Sequence, residues 1–304
     1  MRIAALAAVL LGLTACAADG VSQARLMTDL KVLAADDMEG RLVGTPGSQK
    51  ARDYIVGRFE QEGLKPAGTD GWFHRFTIQM DGKPVEATNI VGVRRGSRWP
   101  DRYIVVTAHY DHEGIKNGQI YNGADDNASG VSALFEIARA LRGRAPRHSI
   151  LFVALDAEEE GLLGAEAFVR TPPVPREAMQ LNINLDMISR SDKDELWAVG
   201  TTQYPALRPV LLGLKRDPRL TLHLGRDGPN DKGRMNWVNL SDQAAFHAAG
   251  IPFVYFSVDD HADYHQPTDD PERIDPEFYA GVVATVLEAL KAFDRMDLSG
   301  LKPR

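Results

Sequence analysis

The sequence predicts an α/β fold: a single domain with a mostly parallel, mixed β-sheet flanked by helices on both faces. Three observations carry this. Short apolar runs such as YIVVTAH (103–109) and LNINLDM (181–187) mark strands buried on both faces. Segments of helical period alternate with these runs along the second two thirds of the chain. No linker-like stretch breaks the alternation, so its layers belong to one unit.

The elements follow in order. The opening MRIAALAAVLLGLTAC has one basic residue, Arg2, and then an apolar, small-residue run. It is shorter than the roughly 20 residues that span a bilayer, and it has the parts of a secretory signal. Its end, Leu13-Thr14-Ala15-Cys16, resembles the bacterial lipoprotein signal, in which the cysteine becomes the lipidated first residue. The alternative is a plain signal with Cys16 incidental. Cys16 is the only cysteine, so no disulfide can form within the chain and the fold rests on its core. The expected organisation is a signal at 1–15, a tether at 16–24, a domain at 25–295 divided at about 87, and a tail at 296–304. The expected location is the periplasm or cell envelope, with membrane contact through the lipid anchor only.

Helices are expected at 25–33 and 48–62, separated by a loop at EGRLVGTPG (39–47). Strands follow at 73–80, 88–93 and 103–109, a helix at 128–141, a strand at 148–156 and a helix at 162–170. The next expected elements are a strand at 181–187, a helix at 205–215, a strand at 220–224, a helix at 241–249, a strand at 252–257 and a final helix at 276–293. Lys and Arg number 35 against 42 Asp and Glu, a formal charge of -7. That balance argues against nucleic-acid binding and gives no reason to expect the folded surface to adhere to anionic lipid. The oligomeric state is not legible.

The chemistry sits where strands end. YIVVTA runs into His109, with Asp111 two residues on; LFVALDA runs into Glu158-Glu159-Glu160; LNINL runs into Asp186; PFVYFS runs into DDHADYHQPTDD, with His261 and His265. Sites in open parallel sheets form outside the carboxyl ends of strands, so these residues should share a rim. Asp125, in YNGADDNASG, opens the helix after the first of these strands. Two imidazoles and three carboxylates, without thiolate, suit Zn2+. They are too many for one tetrahedral ion with an open position and fit two ions about 3.5–4 Å apart.

The ordered motifs HYD, GADDNASG, EEEGLLG, NLDM and YHQPTDD resemble zinc peptidase family twenty-eight, the group of bacterial leucyl aminopeptidase and aminopeptidase Y. The resemblance runs from about residue 39 to the last helix and implies a phosphorylase/hydrolase-like zinc exopeptidase architecture. It implies two Zn2+ per chain, with Asp125 bridging, Glu159 and His265 completing one site, and His109 and Asp186 the other. Glu158 corresponds to the general base. Asp111 would accept a hydrogen bond from His109, and Asp269 from His265. A non-proline cis peptide is implied at Asp125-Asp126. The implied activity is removal of N-terminal residues from peptides with a free N-terminus. The alternatives are a single-zinc glutaminyl cyclase-like acyltransferase and an inactive surface binding module. Gln243, in SDQAAF, stands where many relatives have histidine, which bears on substrate preference. His74, His112, His148, His223 and His247 are read as ordinary packing, His261 as an exposed loop residue, Trp197 and Trp237 as packing or pocket wall, and Tyr264 as packing.

Overall fold

The computed structural model describes residues 20–301. The expected signal, the first part of the tether (16–19, with Cys16) and the end of the tail (302–304) therefore lie outside the described residues. The elements run α1 Gln23–Leu33, α2 Pro46–Gln61, β1 Lys65–Pro66, β2 Phe73–Met80, β3 Lys83–Arg94, β4 Trp99–His109, β5 Gly114–Lys116, β6 Gln119–Tyr121, α3 Gly130–Ala140, β7 His148–Leu155, α4 Leu163–Arg170, β8 Met179–Leu185, β9 Glu195–Val199, α5 Arg208–Leu212, β10 Thr221–Leu224, α6 Gln243–Ala248, β11 Phe253–Ser257 and α7 Pro276–Arg295.

Nine of these strands form one sheet in the order β1-β3-β7-β4-β8-β11-β9-β10, with β2 paired to β3. The central β7, β4, β8 and β11 run parallel, while β3 and β9 pair antiparallel at their flanks. The mixed α/β fold of the sequence expectation is what forms. Alternation along β4 explains the two cores. Ile104, Val106 and Ala108 face a cluster containing residues of α1, α2, α3 and α7. Tyr103 and Val105 face a second cluster with Ala165, Phe168 and Phe246 from α4 and α6. Local signals set the ends of helices. Asp275 accepts from the backbone N–H of Glu277 and Phe278 ahead of Pro276 in α7, and Thr45 accepts from Ser48 ahead of Pro46 in α2.

The differences from expectation have local causes. α3 begins at Gly130 because Ala124–Ser129 winds into a wide, irregular turn. The 205–215 segment is helical only over Pro205–Leu207 and α5. The short β9 and the β5–β6 hairpin carry too few residues to show a period.

Part of the expected 39–47 loop belongs to a tight turn, Asp36–Arg41, which carries a feature that sequence patterning does not show. Arg41 is fully buried. Its guanidinium donates to the carbonyls of Tyr110 at 2.7 Å, Leu33 at 2.7 Å, Asn122 at 2.6 Å and Gly123 at 2.9 Å. One fork thereby joins α1, the end of β4 and the glycine before the ADDNAS turn. Burial pulls its pKa down to about 10, against the attraction of Asp126 and Asp111. Arg41→Ala should leave these buried carbonyls without their donor and cost about 3 kcal/mol or more in urea unfolding. Arg41→Lys, which keeps charge but not the fork, should recover only part of that loss.

Candidate metal centre

Because β4, β7, β8 and β11 are parallel, their carboxyl ends meet on one rim. His109 ends β4, Glu158 and Glu159 follow β7, Asp186 follows β8, and His265 lies in the loop after β11. The backbone turns sharply at these places. Ala157, Met187 and His265 adopt left-handed φ of 55°, 54° and 53°. Non-glycine residues in such regions cost about 1–3 kcal/mol each and cluster at functional sites. The GADDNASG turn closes the rim. A Cβ on Gly123, itself at φ 56°, would collide with the Asp126 carbonyl and the His112 ring, and one on Gly130 with Asn127 Oδ1 and the Leu185 carbonyl. Asn127 staples the turn to β8, donating to Leu185 O at 2.9 Å and accepting from Gly130 N at 2.9 Å.

The turn corrects the expectation for the paired aspartates. Asp126, not Asp125, enters the donor cluster. The Asp125 carboxylate points away and accepts from Ser189 N at 2.7 Å and Ser189 Oγ at 2.6 Å, with His261 Nε2 at 3.0 Å. The non-proline cis peptide is Asp126-Asn127 rather than Asp125-Asp126. Two neighbouring aspartates are alike in sequence, and only the winding of the turn sends their carboxylates in different directions. His261, read as exposed, is instead buried as a side chain against Asp125.

Asp126 uses its two oxygens on two different groups. Oδ1 lies 3.2 Å from His109 Nε2, which is also 3.2 Å from Asp186 Oδ1. Oδ2 lies 3.1 Å from His265 Nε2, which is 3.3 Å from Glu159 Oε2. His112, read as ordinary packing, joins the second group with Nδ1 2.7 Å from Glu159 Oε1. Its signal was its place three residues after His109 at the same strand end. Three donor sets result, each with its atoms within 4.8 Å of one another: His109–Asp126–Asp186, His112–Asp126–Glu159 and Glu113–Glu159–His265.

The supporting aspartates act on backbone. Asp111 accepts from Glu158 N at 3.1 Å and Glu159 N at 3.2 Å. Its carboxylate is 3.7 Å from His109 Nδ1, whose nearer partner is the Asp111 carbonyl at 3.2 Å. Asp269 does not orient His265. It accepts from Asp125 N at 3.1 Å and Asp126 N at 3.0 Å. The loop amides have no ladder to bond to, so carboxylates satisfy them.

Crowding and burial reshape the titrations. Burial raises Glu158 well above the usual carboxylate range, with Asp186 adding to it against the pull of His109. Burial and Asp126 do the same to Glu159. Burial pulls His265 down, but Asp126 and Glu159 outweigh it and bring it to about 9. His112 is pushed down to about 4, chiefly by burial. Asp242 has neither carboxylate oxygen hydrogen-bonded among the described residues, and burial raises it to about 8. Carboxylates held this close favour protons or cations, and the mixed imidazole and carboxylate donors suit zinc.

A cavity of about 280 Å³ opens on the cluster, with Asp126, Glu158, Glu159, Asp186 and His265 in its lining. Trp237, Leu240, Tyr255 and Val258 give it apolar walls. Tyr264 also lines it and stacks on His265 at 3.9 Å between ring centroids. Trp237 is thus both packed and a wall. Gln243 does not line the cavity. It is buried, accepts from Asn184 at 2.9 Å, and donates to Trp237 O at 2.9 Å and Val238 O at 3.3 Å.

Comparison with known proteins agrees with this architecture. The profile of peptidase family M28 matches residues 89–290. A probable zinc metalloprotease of Pyrenophora tritici-repentis is 31% identical over 203 residues, 62% of this chain and 46% of that protein. Aminopeptidase YwaD of Bacillus subtilis is 31% identical over 220 residues, 67% of this chain and 45% of that protein. The chain therefore spans less than half the length of these curated relatives. In fold, it is similar to a zinc aminopeptidase from Bacillus subtilis, with a TM-score of 0.71, 18% identity, and 93% and 98% of the two chains covered. It is also similar to a glutaminyl cyclase from Porphyromonas gingivalis, with a TM-score of 0.71, 20% identity, and 90% and 99% covered.

Gln243 fixes the Trp237 wall from behind. Gln243→Leu should lower stability by about 1–3 kcal/mol in urea unfolding and raise acrylamide quenching of tryptophan emission. Unchanged quenching would show that the wall holds without it.

Proposed function

This chain belongs to peptidase family M28, and on that footing we propose that it is a zinc-dependent aminopeptidase, hydrolysing the first peptide bond of substrates with a free N-terminus and holding two zinc ions on its rim. The observation that carries the reading is Asp126, whose two oxygens face separate histidine and carboxylate groups. His109, Asp126 and Asp186 would hold one ion. Asp126, Glu159 and His265 would hold the other, with His112 at hand on Glu159. When bound, zinc polarises the scissile carbonyl and lowers the pKa of water toward about 7.

The chain's own residues supply the rest. Glu158 lines the cavity beside the donor groups, and its burial raises its proton affinity. It accepts the proton of the attacking water and returns it to the leaving amine. Asp111 holds the Glu158 and Glu159 amides, so base and ligand keep a common frame. Trp237, Leu240 and Tyr255 exclude water around the substrate's first side chain. The acidic rim attracts its α-amine. The same proposal keeps the chain at the cell envelope, exported and anchored through Cys16.

Glu158→Ala should lower kcat at least about 100-fold on aminoacyl anilides while zinc content stays at the wild-type value; near-normal turnover would remove Glu158 as the base. Zinc analysis of the wild type should give two ions per chain. One ion per chain, with cyclisation of N-terminal glutamine, would favour a glutaminyl cyclase-like acyl transfer instead. Asp126→Asn should lose metal that Asp125→Asn retains. A chelator should lower the melting temperature and added zinc restore it, because a ligand that binds only the folded state stabilises it. A melting temperature indifferent to both would sink the metal assignment.

A further inference from the structure

Parallel strands give the molecule two unlike poles. The carboxyl ends of β4, β7 and β8 carry the acidic rim. At the opposite pole β4 and β7 begin, and α3 and α7 end. A groove of about 600 Å³ lies there, with Arg142, Arg144, Arg147, Lys291 and Arg295 in its lining and Asp294 as its one carboxylate. Asp294 is already engaged by the backbone N–H of Arg147 at 2.8 Å and His148 at 2.7 Å. Glu62 meets Arg142 at 3.1 Å and also pairs with Arg58, while Lys291 pairs with Glu288 at 2.8 Å. Arg98 extends the basic surface, lying over Trp99 at 4.6 Å with its backbone N–H on Arg147 O at 3.1 Å. Helix dipoles favour cations near the last turns of α3 and α7. They do not call for Arg98, Arg142 and Arg144, which stand exposed in loops beyond the helices. A chain of net charge -7 thus concentrates arginine on one face.

A second observation points to the occupant. The described chain enters the fold at this pole. The Gly20 carbonyl accepts from Arg139, one residue before the end of α3, and α1 then climbs toward the rim, where Leu33 meets Arg41. Cys16 lies four residues before Gly20, a reach of at most about 14 Å. We propose that this basal face docks on the anionic phospholipid headgroups of a bilayer, turning the catalytic rim away from the membrane. The orientation rests on the proposed anchor at Cys16; attraction to the headgroups does not, and neither rests on the peptidase reading. Net charge argued against such a surface, but juxtamembrane arginines act within a Debye length, so their local density decides.

The test uses the full chain, purified in detergent and mixed with vesicles of phosphatidylcholine alone or with about one third phosphatidylglycerol. Binding to neutral vesicles reports the N-terminal attachment alone, whether the apolar run or a lipid on Cys16. Adding phosphatidylglycerol should tighten wild-type binding about tenfold or more, and high salt should erase the gain. The variant R98E/R142E/R144E should lose the gain while binding neutral vesicles as the wild type does. The variant K83E/K193E/R216E, with the same charge change at exposed sites elsewhere, should keep most of it. If the basal triple fails to fold, the Arg98→Gln, Arg142→Gln and Arg144→Gln variants together should still reduce the gain. A wild type indifferent to phosphatidylglycerol, a basal variant that keeps the gain, or an equal loss in both glutamate triples overturns the proposal. Catalysis is not read at any point, so its failure is separate from that of the aminopeptidase assignment.

Discussion

One carboxylate shared between two histidine groups is the constraint on which the rest of this structure depends. Asp126 is buried, and its oxygens face His109 on one side and His265 on the other. A carboxylate can serve two groups at once only if its backbone is held in place, to within about 0.5 Å. Asp269 holds its amide, Asn127 staples the following residue to β8, and Arg41 clamps the glycine ahead of it. The glycines at 123 and 130 give the close approach that these bonds require. Much of the buried polar bonding near the rim makes sense as support for this one placement.

The division of labour among the acids follows from the same need. Loops at the ends of parallel strands have amide groups without a ladder partner, and buried amides must be bonded. Asp111, Asp125 and Asp269 meet that demand, each tying loop backbone, and Asp125 also holds the His261 ring. The acids left facing the cavity then crowd one another. Burial and mutual repulsion drive Glu158 and Glu159 toward protonation, while neighbouring imidazoles hold Asp126 ionised against its burial. Such a set favours positive charge, and imidazole donors favour a transition metal over a hard cation.

The direction of the strands shapes more than the rim. Carboxyl ends on one rim collect the acids, which leaves the starts of the strands and the ends of the helices at the other pole, where arginine gathers. A nearly balanced composition therefore conceals a strong internal asymmetry. Net charge is a sum and discards direction, whereas a surface is felt locally.

The alternation of elements was legible because each central strand is buried on both faces and shows as an apolar run. The positions of His109, Glu158, Glu159, Asp186 and His265 were legible because each lies at or soon after the end of such a run. What could not be read was which of two adjacent aspartates turns inward, that His112 packs on Glu159, that Asp269 serves amides instead of His265, or that Arg41 is buried. These depend on the direction of side chains in irregular turns and on partners tens of residues away. Chain order carries periodicity and spacing, but the facing of a carboxylate is decided only when the turn is wound against the sheet.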